Sequence, residues 1–150
     1  MKKIIVTFFS VLLLLVPNVS FAADETTPDD PIISPLAVKM TWQKNNVAST
    51  TNTDPFVITS SRTSLKLTNI QQSTTGIFTS AKVEYRLLKQ NSSGTYVDSG
   101  IYDVLEGSFN PNNRTSTTLY GSISAGTYKI KITNKNGSSV KIHSIGELNL

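Results

Sequence analysis

Cysteine is absent from this 150-residue chain, and His143 is its only histidine. Without thiols no disulfide can staple the fold, so apolar packing must supply the stability unaided. One histidine and no thiol also exclude the usual tetrahedral zinc sets, and neither a metal nor another cofactor is expected. Two further things are missing. No window holds apolar residues at sustained helical spacing, which argues against helical layers. After the first sixteen residues there is no second long apolar run, so nothing in the remainder reads as a membrane span.

What is present begins with an export signal. Lys2 and Lys3 give a positive start, Ile4 to Val16 is apolar apart from Thr7 and Ser10, and Pro17 stops a continuing helix. Ser20-Phe21-Ala22 then places small residues where a signal peptidase reads them, so 1–22 is expected to be a signal peptide cut before Ala23. The apolar run is too short for a spanning helix, which needs about 20 such residues. No cysteine follows the cut to carry a lipid anchor, and no LPxTG-type sequence offers covalent wall attachment. The expected location is therefore secreted and extracellular. The lysine-rich start and the lack of cysteine suit a bacterial source.

Charge is unevenly distributed over what remains. Removing Lys2 and Lys3 from the fourteen basic residues leaves twelve against ten acidic ones. Asp24, Glu25, Asp29 and Asp30 all precede residue 36, so the rest carries twelve basic and six acidic residues. An acidic leader thus precedes a basic body. Pro28, Pro31 and Pro35 favour extended backbone through the leader, and 23–36 reads as a flexible acidic linker. Residues 37–150 are one domain's worth of chain.

The body is all-β in pattern. Val38, Met40 and Trp42 alternate with Lys39, Thr41 and Gln43, and Val83, Tyr85 and Leu87 alternate with Lys82, Glu84 and Arg86. Shorter runs occur at Pro55–Thr59, Ser64–Thr68, on both sides of Ser99-Gly100, at Ser116–Ile123, Gly126–Asn134 and Gly146–Leu150. Runs rich in Thr, Val, Ile and Tyr between turn formers are strand signals. Seven to nine short antiparallel strands in a single two-sheet β-sandwich follow, each strand with one apolar face. The stretch "AGTYKIKITN" resembles the late strands of secreted bacterial β-sandwich modules, including domains appended to extracellular hydrolases. That resemblance implies the fold class and no functional residue.

Residues Gly126 to Ser144 read as a strand, a turn at Lys135-Asn136-Gly137 with Gly137 left-handed, and a second strand. The register that buries Ile130, Ile132, Val140 and Ile142 pairs Ile132 with Val140 and Ile130 with Ile142. It also sets Lys131 across from Lys141 and Lys129 across from His143, a mildly unfavourable arrangement. A basic row kept at that cost points to an anionic partner, so Lys129, Lys131, Lys141 and His143 are the expected ligand-binding residues. The competing account is a solvated strand face eased by Glu84, Glu106 or Glu147, its lysines blunting an edge.

No catalytic residue is expected. His143 has no orienting carboxylate nearby in sequence, no strand-turn-helix nucleophile motif occurs, and the carboxylates share no evident location. The oxygen-rich "NPNNRT" loop lacks ordered calcium spacing and reads as turn chemistry. Trp42, Tyr85 and Tyr128 fall on inner faces, whereas Tyr102 and Tyr120, if exposed together, could stack on sugar rings. No aromatics are interleaved with the lysines of the basic row, so nucleic acid is not expected. The sequence therefore points to a small secreted non-enzymatic module that binds an anionic cell-envelope polymer or another protein. The alternative is a self-assembling matrix or toxin-like protein. Serine, threonine and asparagine make up about a third of the chain and "PFVITS" and "TGIFTS" carry almost no charge, so strand edges could add to one another.

Overall fold

Alternation of apolar and polar side chains along each run decides which face of a strand turns inward. A computed structural model describes residues 38–75 and 80–150. The expected signal peptide (1–22) and the whole of the expected linker (23–36) lie outside the described residues. Among the described residues there is no helix, and nine strands form two antiparallel sheets. The strands are β1 (Val38–Val47), β2 (Thr50–Asn52), β3 (Phe56–Ile58), β4 (Arg62–Thr74), β5 (Lys82–Gln90), β6 (Tyr96–Glu106), β7 (Thr115–Ile123), β8 (Gly126–Asn134) and β9 (Ile142–Asn149). The four-stranded sheet runs β1-β9-β4-β7. The five-stranded sheet runs β2-β8-β5-β6, and β3 also pairs with β8.

Where alternation changes phase, the backbone supplies the missing residue. In β4 the inward positions are Leu65 and Leu67 and then Ile70 and Gln72, a step of three that would turn Ile70 outward in a regular strand. Asn69 absorbs it at φ 52°, where the register against β7 shifts between Leu67 and Ile70. Asn46 does the same in β1 at φ 56°, returning Val47 to the core after Trp42. Asparagine tolerates this left-handed backbone better than most side chains, and the extra residue forms a bulge. The two runs expected around Ser99-Gly100 are one strand, β6, with its register shift where Gly100 sits at φ 75°.

The chain changes sheet at most connections, and β5–β6 is a hairpin of sequence neighbours. The expected β8–β9 hairpin does not form. β8 pairs with β2, β3 and β5, while β9 pairs with β1 and β4 in the other sheet. Ile132 accordingly sits across from Thr51 and Tyr85, and Ile142 across from Val47 and Thr74. Ile130, Ile132 and Ile142 are fully buried as expected, but they enter the core from opposite sheets, and Val140 is half-buried in the connection. Gly137 is indeed left-handed at φ 89°. The connection is held by Asn134, whose Nδ2 donates to the carbonyls of Val47 (3.2 Å) and Ala48 (3.1 Å) and to that of Val140. That buried amide ends β8 and ties the crossing chain to the turn after β1.

Both sheets feed one apolar cluster, which includes Trp42, Leu67, Ile70 and Ile142 from the first and Tyr85, Leu87, Tyr128 and Ile130 from the second. A polar chain threads it. Trp42 Nε1 donates to Ser144 Oγ at 3.1 Å, Ser144 and Tyr85 hydroxyls meet at 3.0 Å, and Tyr85 donates to Gln72 Oε1 at 3.1 Å. Because the phenol has one proton, Ser144 is the donor to Tyr85. Gln72 Nε2 then donates to the carbonyls of Leu105 (3.0 Å) and Gly107 (2.9 Å), so the chain ends on the other sheet. Burial pushes the Tyr85 phenol above its ordinary value, and the group stays neutral. Gly146 makes room for the indole, since a Cβ there would collide with Trp42 Cζ2.

Candidate functional site

β8 is an interior strand of the five-stranded sheet, flanked by β5 on one side and by β2 and β3 on the other. Tyr128, Ile130 and Ile132 face the core, which turns Lys129 and Lys131 onto the outer face. Lys131 sits across from Arg86 of β5 and Asn52 of β2, and Arg86 sits across from Tyr102 of β6. One row along, Lys129 is across from Leu88, which is across from Asp98. The face is therefore an array of cations, carboxylates and tyrosines on the three adjacent strands β8, β5 and β6, with Asn52 of β2 beside it.

Its charges fall into two groups. Arg86 is fully engaged: its Nε donates to Glu84 at 2.8 Å, its Nη1 to Asp98 at 2.6 Å, and its guanidinium lies 4.2 Å over the Tyr102 ring. Lys135 approaches the other Glu84 oxygen at 3.5 Å, and Lys82 pairs with Glu106 at 3.2 Å. The Arg86 hydrogen bond lowers the Glu84 pKa, an effect burial opposes in part. Asp98 is held low by the Gly100 N–H first and Arg86 second, with a smaller contribution from the charge of Lys131. Lys129 and Lys131 are different. Among the described residues no carboxylate lies within 4.0 Å of either ammonium. Lys129 instead rests 4.4 Å over the Tyr96 ring, a cation–π contact.

The structure brings together two of the four expected binding residues and separates the others. Lys141 is exposed in the connection between β8 and β9 and does not oppose Lys131. His143 lies on the outer face of the four-stranded sheet, across from Ser73 and 3.3 Å from the Asn45 side chain, so it does not oppose Lys129. The physical reason is the sheet change after Asn134: residues close in sequence leave on opposite outer faces. The same topology separates Tyr102, 52% exposed on the five-stranded sheet, from Tyr120, 76% exposed on the four-stranded one. They are exposed but not together, and Trp42 is buried.

Sequence reasoning missed Arg86, Tyr96 and Tyr102 as members of the lysine face. The absence of interleaved aromatics holds along β8 alone, because Tyr96 and Tyr102 arrive from β6, two strands away. The signal that could have found them is the outward alternation of β5 and β6, read together with a pairing of β5 with β8. The sequence matches no protein-family model, and no curated protein is significantly similar to it.

Proposed function

We propose that this protein is a secreted, non-enzymatic β-sandwich module that engages an anionic cell-envelope polymer through the outer face of its five-stranded sheet. Lys129 and Lys131 are the contact residues. The observation that carries the reading is their state: two lysines on the same side of an interior strand, with no carboxylate within 4.0 Å of either ammonium among the described residues. Register and ion pairs gather on this face the cations Lys82, Arg86, Lys129, Lys131 and Lys135 and the carboxylates Glu84, Asp98 and Glu106, with the exposed Asp54 following Asn52 at its margin. A sheet face carrying a small excess of positive charge suits a repeating anion, which gains from several weak contacts at once. Lys141 and His143 lie elsewhere and are left out of this contact set.

The test is co-sedimentation with purified bacterial cell walls at low and high salt. The Lys129→Ala/Lys131→Ala protein should lose most low-salt binding, the Lys141→Ala protein should keep it, and salt should abolish what the parent shows. Undiminished binding by the double variant would remove the reading's support.

A second reading, self-assembly through strand edges, is favoured by one observation. The edge strands β1 and β6 carry charged residues and the β2–β3 edge is interrupted at Asp54-Pro55, whereas β7 has neither charge nor proline. Such an edge is open to strand addition. Sedimentation velocity over a wide concentration range separates the readings: association that a Ser116→Lys change, on the exposed outer side of β7, abolishes belongs to the edge.

A further inference from the structure

The outer face of the four-stranded sheet carries groups unlike those on the lysine face. Register lays them out in rows. Gln43 of β1, Ile145 of β9 and Gln71 of β4 are cross-strand neighbours, and the next row holds Thr41, Glu147 and Thr68. An open cleft of about 240 Å³ lies over these rows, with Arg114 on its wall. A second lobe of about 160 Å³ shares Gln71 and Ile145 and runs toward His143 under Asn110 and Pro111. The wall is fixed, because Gln72 and Phe109 exchange backbone hydrogen bonds of 3.0 and 2.8 Å, and the Asn110–Asn113 side chains bond within their own turn.

One pair of the polar lining groups is held and the rest are unengaged. Glu147 accepts from Asn69 Nδ2 at 2.7 Å through one oxygen, and the bulge at Asn69 aims that amide across the sheet. The side chains of Gln43, Gln71 and Arg114 have no hydrogen-bond or ion-pair partner among the described residues. Ile145 stands between the two glutamines as a small apolar floor.

We propose that this cleft binds a neutral saccharide segment. Each ligand class can be weighed by what it would leave unpaired. A purely apolar ligand would strip water from amides, a guanidinium and a carboxylate without replacing the hydrogen bonds. An anion would meet Glu147, and a metal ion would find a single carboxylate in the cleft. Sugar hydroxyls each donate and accept, as the carboxamides do in turn, and adjacent hydroxyls can bridge an amide oxygen and its NH₂. The C–H face of a sugar ring covers Ile145. The site is independent of the lysine face, since it lies on the other sheet and holds neither Lys129 nor Lys131.

The experiment is NMR titration of the ¹⁵N-labelled protein with two probes, a soluble glucose hexasaccharide and an N-acetylglucosamine hexasaccharide. Saturable shifts at the side-chain NH₂ signals of Gln43 and Gln71 and the backbone of Ile145 are expected with at least one probe. Gln71→Ala and Arg114→Ala should each weaken that binding roughly fivefold to tenfold, while Lys129→Ala/Lys131→Ala leaves it unchanged. If Gln71→Ala fails to fold, Gln43→Ala on the edge strand takes its place. No saturable shift with either probe, shifts confined to the lysine face, or parental affinity in both cleft variants would overturn the proposal.

Discussion

The outer faces of the two sheets rest on the same core and differ in almost every other respect. On the five-stranded sheet, Arg86 links Glu84, Asp98 and Tyr102 into a charged cluster that leaves Lys129 and Lys131 outside it. On the four-stranded sheet, three carboxamides (Gln43, Asn69 and Gln71), one carboxylate and one guanidinium share a cleft. The inner faces, by contrast, are alike: aliphatic and aromatic side chains joined by the hydrogen-bonded chain from Trp42 through Ser144 and Tyr85 to Gln72. The difference teaches that alternation commits only half of each strand to folding. The other half is free to carry different recognition chemistry on each side of one core.

The strongest way to break this comparison is to damage what the faces share. Ile130 is 0% exposed, and Ile130→Ala should cost about 2–5 kcal/mol of stability in urea denaturation. Both sheets should unfold together, followed by Trp42 fluorescence for one and by NMR signals of β5 and β6 for the other. Separate transitions would mean that the faces do not share a single cooperative core.

A smaller change tests the polar chain joining the sheets. Tyr85→Phe leaves Gln72 Oε1 without its phenol donor and should cost about 1–3 kcal/mol. Combined with Ser144→Ala, the loss should be less than the sum of the single changes, because both remove the same contact. Strict additivity would show that the chain is not a coupled unit.

Acid should distinguish the faces. The pKa values of Glu84 and Asp98 are depressed in the folded protein, so their contribution to stability is complete above their unfolded values. It is lost as pH falls below about 5 toward the lower folded values. Urea midpoints measured from about pH 7 to about pH 3 should fall, and Glu84→Gln should flatten the decline. An unchanged decline would place the acid sensitivity elsewhere. The smallest stability effect should come from the lysines of the binding reading. Lys129→Ala/Lys131→Ala should change stability by less than about 1 kcal/mol, since both are on the outer face and neither has an ion-pair partner among the described residues.

Much of the fold was legible in the sequence, and the site less so. The burial of Trp42, Tyr85, Tyr128, Ile130, Ile132 and Ile142 follows from period two, and Gly137 is left-handed as its place in a turn requires. The three-residue strand β2 was not legible, because Thr50–Asn52 has no apolar alternation and is a strand only because β8 pairs with it. The lysine face was half-legible. Lys129 and Lys131 share a side because they are two residues apart on one strand, whereas Lys141 and His143 were assigned to them through a hairpin that does not exist.

By itself the sequence determined which side of each strand is dry, because the direction of a Cβ depends on local backbone geometry and repeats every second residue. The tertiary structure alone decided which strands are neighbours. Pairing β9 with β1 and β4, and β8 with β5, joins residues far apart in the chain, and the arrangement that closes one core over both sheets selects those partners. That choice sent Lys131 to Arg86 rather than Lys141, set the Tyr96 ring beneath Lys129, and put His143 beside a carboxamide cleft on the opposite face.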